Sequence, residues 1–192
     1  MPLPALAPAL SLHTAEGRRK YLTAAERGRF LAAAAEETPK IRTLCLMLAW
    51  SGCRITEVLN LTRADLDCEA GTIAVRCLKK RRGGVVREIP VPAEFLAVLR
   101  QVHGAGRPSE RLWPIARNTA WRQVKTVMEM ASVGATAASP KGLRHGFGVH
   151  AIRSGIPLNL LQRWLGHASM STTAIYADVM GPEEREIATR MW

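Results

Sequence analysis

GTIAVRCLKKRRGGVVREIPV, Gly71–Val91, is the stretch of this 192-residue chain that reads as sheet. Two β-branched runs, "GTIAVRC" and "VVREIPV", flank the loop "LKKRRGG", which predicts an antiparallel hairpin. Around it the spacing is helical. Thr23-Ala24-Ala25-Glu26 is a capping box opening an Ala-rich helix that runs to about Glu36. A second helix starts at Pro39, buries Ile41, Leu44, Cys45, Leu48 and Ala49, and ends near Ser51-Gly52. A third begins at Ile55, carries Glu57, Val58 and Leu61, and gives way to the turn "RADLD". After Pro92 helices are expected over about 93–102, 118–132, 140–154 and 157–165, with Gly166 as a C-terminal stop. A short helix over 171–178 is expected to carry Tyr176, and a last one opens at Pro182. The fold class is mainly α with a small antiparallel β-sheet (α+β), without βαβ alternation or a Gly-rich phosphate loop.

The length fits one domain with a real core. The formal net charge of +11 points to a polyanionic partner, nucleic acid before anionic membrane. Cys45, Cys53, Cys68 and Cys77 lack metal-ligand spacing and read as reduced packing residues of a cytosolic protein. The apolar run Leu44–Trp50 is too short to span a bilayer. The start "MPLPALAPAL" is Pro-broken and lacks a basic n-region, so it reads as a flexible lead or linker rather than a signal peptide.

Four groups of residues carry chemistry. In "SGCRITEV", Arg54 follows a glycine that ends an apolar helix, with Glu57 three residues on, either as a plain structural ion pair or as part of a site. Residues 76–87 hold Arg76, Lys79, Lys80, Arg81, Arg82 and Arg87 and no acid, a tip suited to phosphates unless it is simply a solvated charge run. In "SPKGLRHGFGVHAI", Lys141 and Arg144 share a helical face, with His145 beside them. His145 and His150 are five apart and no carboxylate or thiolate joins them or His167, so neither a metal nor another cofactor is expected. "LGHASMSTTAIYADV" holds His167 and, nine residues on, Tyr176. A tyrosine, two arginines, lysines and a histidine in a basic chain suit one reaction. A phenolate attacks a phosphodiester while guanidinium groups clamp its non-bridging oxygens, and the covalent phosphotyrosine conserves the bond energy for rejoining.

These stretches, taken in order, resemble the tyrosine recombinases, the phage-integrase family. "SGCRITEVLNLTRADLD" is similar to that family's first arginine box, with Arg54 catalytic and Glu57 supporting. "VRCLKKRRGGVVREIPV" resembles its catalytic hairpin, "KGLRHGFGVHAIRSG" its second box with Arg144, and "QRWLGHASMSTTAIYADV" its third box with His167 and the nucleophile Tyr176. The 23-residue interval from Arg144 to His167 is typical of the family. The resemblance covers about residues 20–180. It implies that Tyr176 forms a 3′-phosphotyrosyl link, that Arg54, Arg144 and His167 stabilise the phosphorane, and that a hairpin lysine, Lys79 before Lys80, protonates the leaving 5′-oxygen. His145 is a supporting residue, and Arg76, Lys80, Arg81, Arg82 and Arg87 are expected to bind DNA. Where many members carry histidine, this chain has Lys141, which keeps a cation there but removes a group that could accept the tyrosine proton at neutral pH.

The implied organisation is a lead or linker over 1–19, a catalytic domain over 20–180, and a C-terminal helix over 181–192 that is either exchanged between protomers or docked within its own. Only about twenty residues precede the catalytic domain. The chain is therefore expected to resemble short recombinases, such as the fimbrial phase-variation invertases, or a catalytic domain cut from a longer protein. The implied partners are double-stranded DNA, a tetramer of protomers on two DNA sites and accessory DNA-bending proteins, in the bacterial cytoplasm or nucleoid and away from membranes. The alternatives are type IB topoisomerase-like DNA relaxation and a non-catalytic DNA-binding regulator.

Overall fold

The computed structural model describes residues 11–77, 85–177 and 188–189. Eight helices and a three-stranded sheet are formed among the described residues. The helices are α1 (Ala24–Ala35), α2 (Pro39–Ser51), α3 (Ile55–Val58), α4 (Ala93–His103), α5 (Arg117–Met130), α6 (Pro140–Arg153), α7 (Leu158–Leu165) and α8 (Ser171–Ala174). The strands are β1 (Leu66–Asp67), β2 (Thr72–Arg76) and β3 (Val86–Pro90), paired antiparallel in the order β1-β2-β3. No helix among the described residues is long and apolar enough to cross a membrane.

The expected capping box forms: Glu26 N–H donates to Thr23 Oγ1 at 3.2 Å, and Thr23 N–H donates to Glu26 Oε2 at 2.9 Å. α2 lies at the centre and packs against α1, α4, α5 and α6, with Leu44, Met47 and Leu48 fully buried. Ile73 and Ile89 join the sheet to this core, and Phe95, Leu99, Val124 and Leu143 bring in the helices that follow. A second cluster, containing Leu12, Tyr21, Val149, Leu161, Leu165 and Ile175, surrounds Tyr176. Gly52 ends α2 and Gly166 ends α7, each in the left-handed region (φ 62° and 66°) that a side chain disfavours.

Four expectations need correction. The "RADLD" segment is a 3-10 turn (Arg63–Asp65) that runs into β1, because Leu66 pairs with Ile73 and adds a short strand to the predicted hairpin. α8 stops at Ala174, so Tyr176 sits in the turn beyond the helix rather than on it. Residues 11–19, part of the expected flexible lead, pack on the domain: a bridge joins His13 to Arg19, and Leu12 is buried in the second cluster. Arg87, expected to bind DNA, is only 4% exposed. Strand alternation turns Arg87 inward with Ile89, leaving Val86 and Glu88 outward. The loop residues Lys79, Lys80, Arg81 and Arg82, and the helix expected from Pro182, lie outside the described residues, save Ala188 and Thr189.

Candidate active site

Arg54, Lys141, Arg144, His145, His167 and Tyr176 line one cleft of about 440 Å³. Arg117 and Trp121 of α5 line its outer part. Three of the six come from one face of α6. Ser139 caps this helix, its Oγ accepting from Gly142 N–H at 3.0 Å, and Pro140 fits its first turn. Lys141, Arg144, His145 and Gly148 then fall at i, i+3, i+4 and i+7 along a single stripe.

Arg144 is held by carbonyls at the ends of two helices. Its Nη1 donates to Gly52 O and its Nη2 to Leu165 O, both at 2.7 Å. Each carbonyl adjoins a left-handed helix stop, so the two glycine turns expose the acceptors that aim this side chain. Burial, and then the Arg54 charge, lower the Arg144 pKa to about 10, which leaves it cationic at neutral pH.

Arg54 and Glu57 do form an ion pair, Nη1 to Oε1 at 2.9 Å, while Arg54 N–H donates to Oε2 at 2.9 Å. The partner that fixes Glu57 is Arg87, whose Nη2 meets Oε2 at 2.7 Å. Arg87 also donates from Nε to Trp164 O at 2.7 Å and from Nη1 to Cys77 Sγ at 3.2 Å. Burial alone would raise the Glu57 pKa, but hydrogen bonds and charge from Arg87, with Arg54, hold it below the ordinary value. Burial likewise opposes the Arg87 cation, yet Cys53 and Glu57 keep its pKa above the usual one. Arg87 thus braces Glu57 beneath Arg54.

Tyr176 is 1% exposed. Its hydroxyl lies 3.0 Å from His145 Nδ1, and its ring is parallel to that of His167, 6° between planes and 6.4 Å between centroids. His167 is tied to Thr173 of α8, Nδ1 to Oγ1 at 2.9 Å. Burial raises the Tyr176 pKa to about 12 despite Arg144 and Arg54. Burial also lowers His167 to about 3, with Arg144 and Arg54 adding to the effect, so this ring is neutral over the physiological range. His150 is exposed and does not line the cleft. No group of three or more metal-capable side chains occurs among the described residues.

Sequence reasoning missed Gly148, Thr173 and the bracing role of Arg87. Gly148 had a signal: a glycine inside a helix is unfavourable unless something packs against it. Arg76 ends β2 exposed, beside the loop whose lysines lie outside the described residues.

A helical domain with this hairpin, and a cleft joining two arginines, a histidine and a tyrosine, defines a class by its chemistry. The chain belongs to the phage integrase family, which it matches over residues 20–181. It is 31% identical over 184 residues to the tyrosine recombinase XerA of Pyrococcus furiosus, covering 89% of this chain and 61% of that protein. A crystal structure of XerA recombinase superposes with a TM-score of 0.76 at 26% identity, covering 89% of this chain and 64% of the other. XerH bound to its difH substrate shares the fold, with a TM-score of 0.71 at 20% identity over 94% of this chain and 59% of that one. The chain therefore spans less than two thirds of the length of each of these three.

Proposed function

We propose that this chain carries the catalytic machinery of a site-specific DNA recombinase that cleaves and rejoins strands through a 3′-phosphotyrosyl intermediate. The observation that carries the reading is the convergence of Arg54, Arg144, His167 and Tyr176 on one cleft. Double-stranded DNA is the substrate. The XerH complex with difH supports that assignment by fold, and the net charge of +11 supports it by electrostatics. A tetramer on two DNA sites is the assembly in which strands exchange.

The roles follow from chemistry. Tyr176 Oη attacks the scissile phosphorus, and the bond to the 5′-oxygen breaks. Negative charge builds on the non-bridging oxygens, where two permanently charged guanidinium groups stabilise it. Arg144 is preset by its two carbonyl contacts, and Arg54 by Glu57, so neither has to be ordered when charge develops. His167 Nδ1 lies 2.9 Å from Thr173 Oγ1, and in the tautomer whose Nδ1 accepts from that hydroxyl the neutral ring offers an Nε2 hydrogen to a phosphate oxygen. Lys141 adds a cation at the cleft rim. A lysine of the hairpin loop, Lys79, protonates the leaving 5′-oxygen.

The test is covalent capture. Nicked duplexes with randomised cores, whose cleaved end diffuses away, are incubated with the chain, and protein–DNA adducts surviving hot detergent are isolated. Adducts should form with the native chain and vanish in Tyr176→Phe, which still binds DNA non-covalently. Adducts that persist without the hydroxyl would sink the assignment.

A further inference from the structure

We infer that His145 is a catalytic residue that takes the proton of Tyr176 during cleavage and returns it during rejoining. The inference rests on Tyr176 being the nucleophile. The attacking phenol must lose its proton, and within the cleft the nitrogen it faces is His145 Nδ1, at 3.0 Å. That distance lies within the range required of a general base. The neighbouring cation cannot serve: a lysine ammonium has three donors and no acceptor. Lys141 and His145 are one turn apart on the same face of α6, and of the two it is His145 that can accept a proton.

The other ring near the phenol is differently employed. His167 lies parallel to Tyr176, and its Nδ1 is engaged by Thr173 Oγ1. The Tyr176–His145 contact orients both partners. With the phenol donating to Nδ1, the imidazole carries its own hydrogen on Nε2, the tautomer that leaves Nδ1 free to accept.

Electrostatics makes the device responsive to substrate. The charged and titratable groups facing His145 are Lys141 and Arg144 on its own helix, Lys20 from the segment before α1, and His167 and Tyr176 across the cleft. Burial and then Lys141, Arg144 and Lys20 lower the His145 pKa to about 4, so without DNA it is a weak base facing a reluctant acid. A bound phosphodiester brings negative charge to the same cations and lifts that depression as the reacting phosphorus arrives. The proton balance is closed. The Tyr176 Oη–P bond forms, the P–O5′ bond breaks, the phenol proton passes to His145 Nδ1, and the hairpin general acid protonates the 5′-oxygen. In rejoining, the 5′-hydroxyl attacks the phosphorus and returns its proton to the hairpin general acid, the Oη–P bond breaks, and the imidazolium returns its proton to Oη.

Asparagine separates accepting a hydrogen bond from accepting a proton, because its amide oxygen does only the first. On a duplex recovered by covalent capture, His145→Asn should slow adduct formation by about 100-fold or more. 3-Fluorotyrosine at position 176 is a more acidic phenol. It should restore the His145→Asn rate to within about tenfold of the native chain, since a phenol that ionises readily needs less help. His145→Gln gives the same comparison should the asparagine variant fold poorly. In the DNA-free chain, nitrogen NMR of His145 should report the Nε2–H tautomer, with an Nδ1 resonance that moves in Tyr176→Phe.

A near-native rate in His145→Asn, equal losses with both phenols, or an Nδ1–H tautomer would each overturn the inference. None of these touches the recombinase reading. That reading fails instead if the native chain forms no Tyr176-dependent adduct.

Discussion

Gly148 and Tyr176 occupy each other's space: a Cβ on Gly148 would lie 2.5 Å from Tyr176 Cε1 and 2.6 Å from Cζ. The absence of a Cβ at this position of α6 is what lets the Tyr176 ring approach the helix carrying Arg144 and His145 so closely. Gly148→Ala is therefore a test with a definite sign. Helix propensity alone would stabilise it by roughly 0.5–1 kcal/mol. Overpacking against a buried ring costs about 1–3 kcal/mol, and this term should win. Denaturant unfolding should show a net loss, and the displaced ring should lose most adduct formation. Gly28→Ala, on α1 with nothing within 4 Å of the added carbon, is the control and should gain about 0.5–1 kcal/mol. Equal outcomes for the two variants would refute the packing account.

Arg87 and Arg76 are a matched pair of basic residues from one hairpin with opposite fates. Arg87→Ala removes the brace from a buried carboxylate and should destabilise the fold by about 3 kcal/mol, because Glu57 keeps only Arg54. Arg76→Ala, at the exposed end of β2, should leave the melting temperature within about a degree and lower the log–log salt slope of DNA binding by about one. Urea melts and binding measured from 50 mM to 200 mM salt separate the two. A stable Arg87→Ala variant with a reduced salt slope would return it to the DNA surface.

Acid should weaken this fold before Glu57 and Glu26 titrate. His145 and His167 are held at about 4 and about 3, chiefly by burial, against an unfolded value of about 6.5. Between those values the unfolded chain binds protons that the native chain refuses, so stability falls as pH drops from about 6.5 toward 4. His103 and His150, lowered in the same direction, add to the slope. Glu57 and Glu26 are held below their ordinary values, so their contribution is lost only at lower pH. Melting temperatures at pH 7, 5.5 and 4 should decline steadily. The variant with both His145→Asn and His167→Asn should decline less, and a parallel decline would show the wrong groups were named.

Much of this was legible because the determining interactions are local. Thr23 and Glu26 cap α1 through a three-residue spacing, and the hairpin's β-branched runs pair as their alternation implies. Arg54, Arg144, His167 and Tyr176 are brought to one cleft from far-apart boxes, where ordered motifs are a stronger guide than any single spacing. What escaped notice is set by tertiary contact. Arg87 looks like one more cation of a basic tip until Glu57, 30 residues away, is seen to neutralise it. Tyr176 lies just beyond α8 with its ring docked on Gly148, a contact that no helix propensity reports. The carbonyls of Gly52 and Leu165 carry no signature at all, since every residue has one.

Lys79 and Lys80 are neighbours in sequence, and the proposed general acid is Lys79. An alkoxide is a poor leaving group at neutral pH, so the departing 5′-oxygen needs a proton from a positioned donor. The 25-residue interval from Arg54 to Lys79 is close to the spacing usual in the family, which favours the first. A substrate with sulfur in place of the bridging 5′-oxygen isolates this step, because a thiolate departs without being protonated. Lys79→Ala should cleave ordinary DNA at least about 100-fold more slowly and recover most of its rate on the sulfur substrate. Lys80→Ala should bind DNA somewhat more weakly and show no selective recovery. Rescue that follows Lys80 instead would move the general acid one residue along the loop, and absence of rescue in both would remove the hairpin from proton transfer altogether.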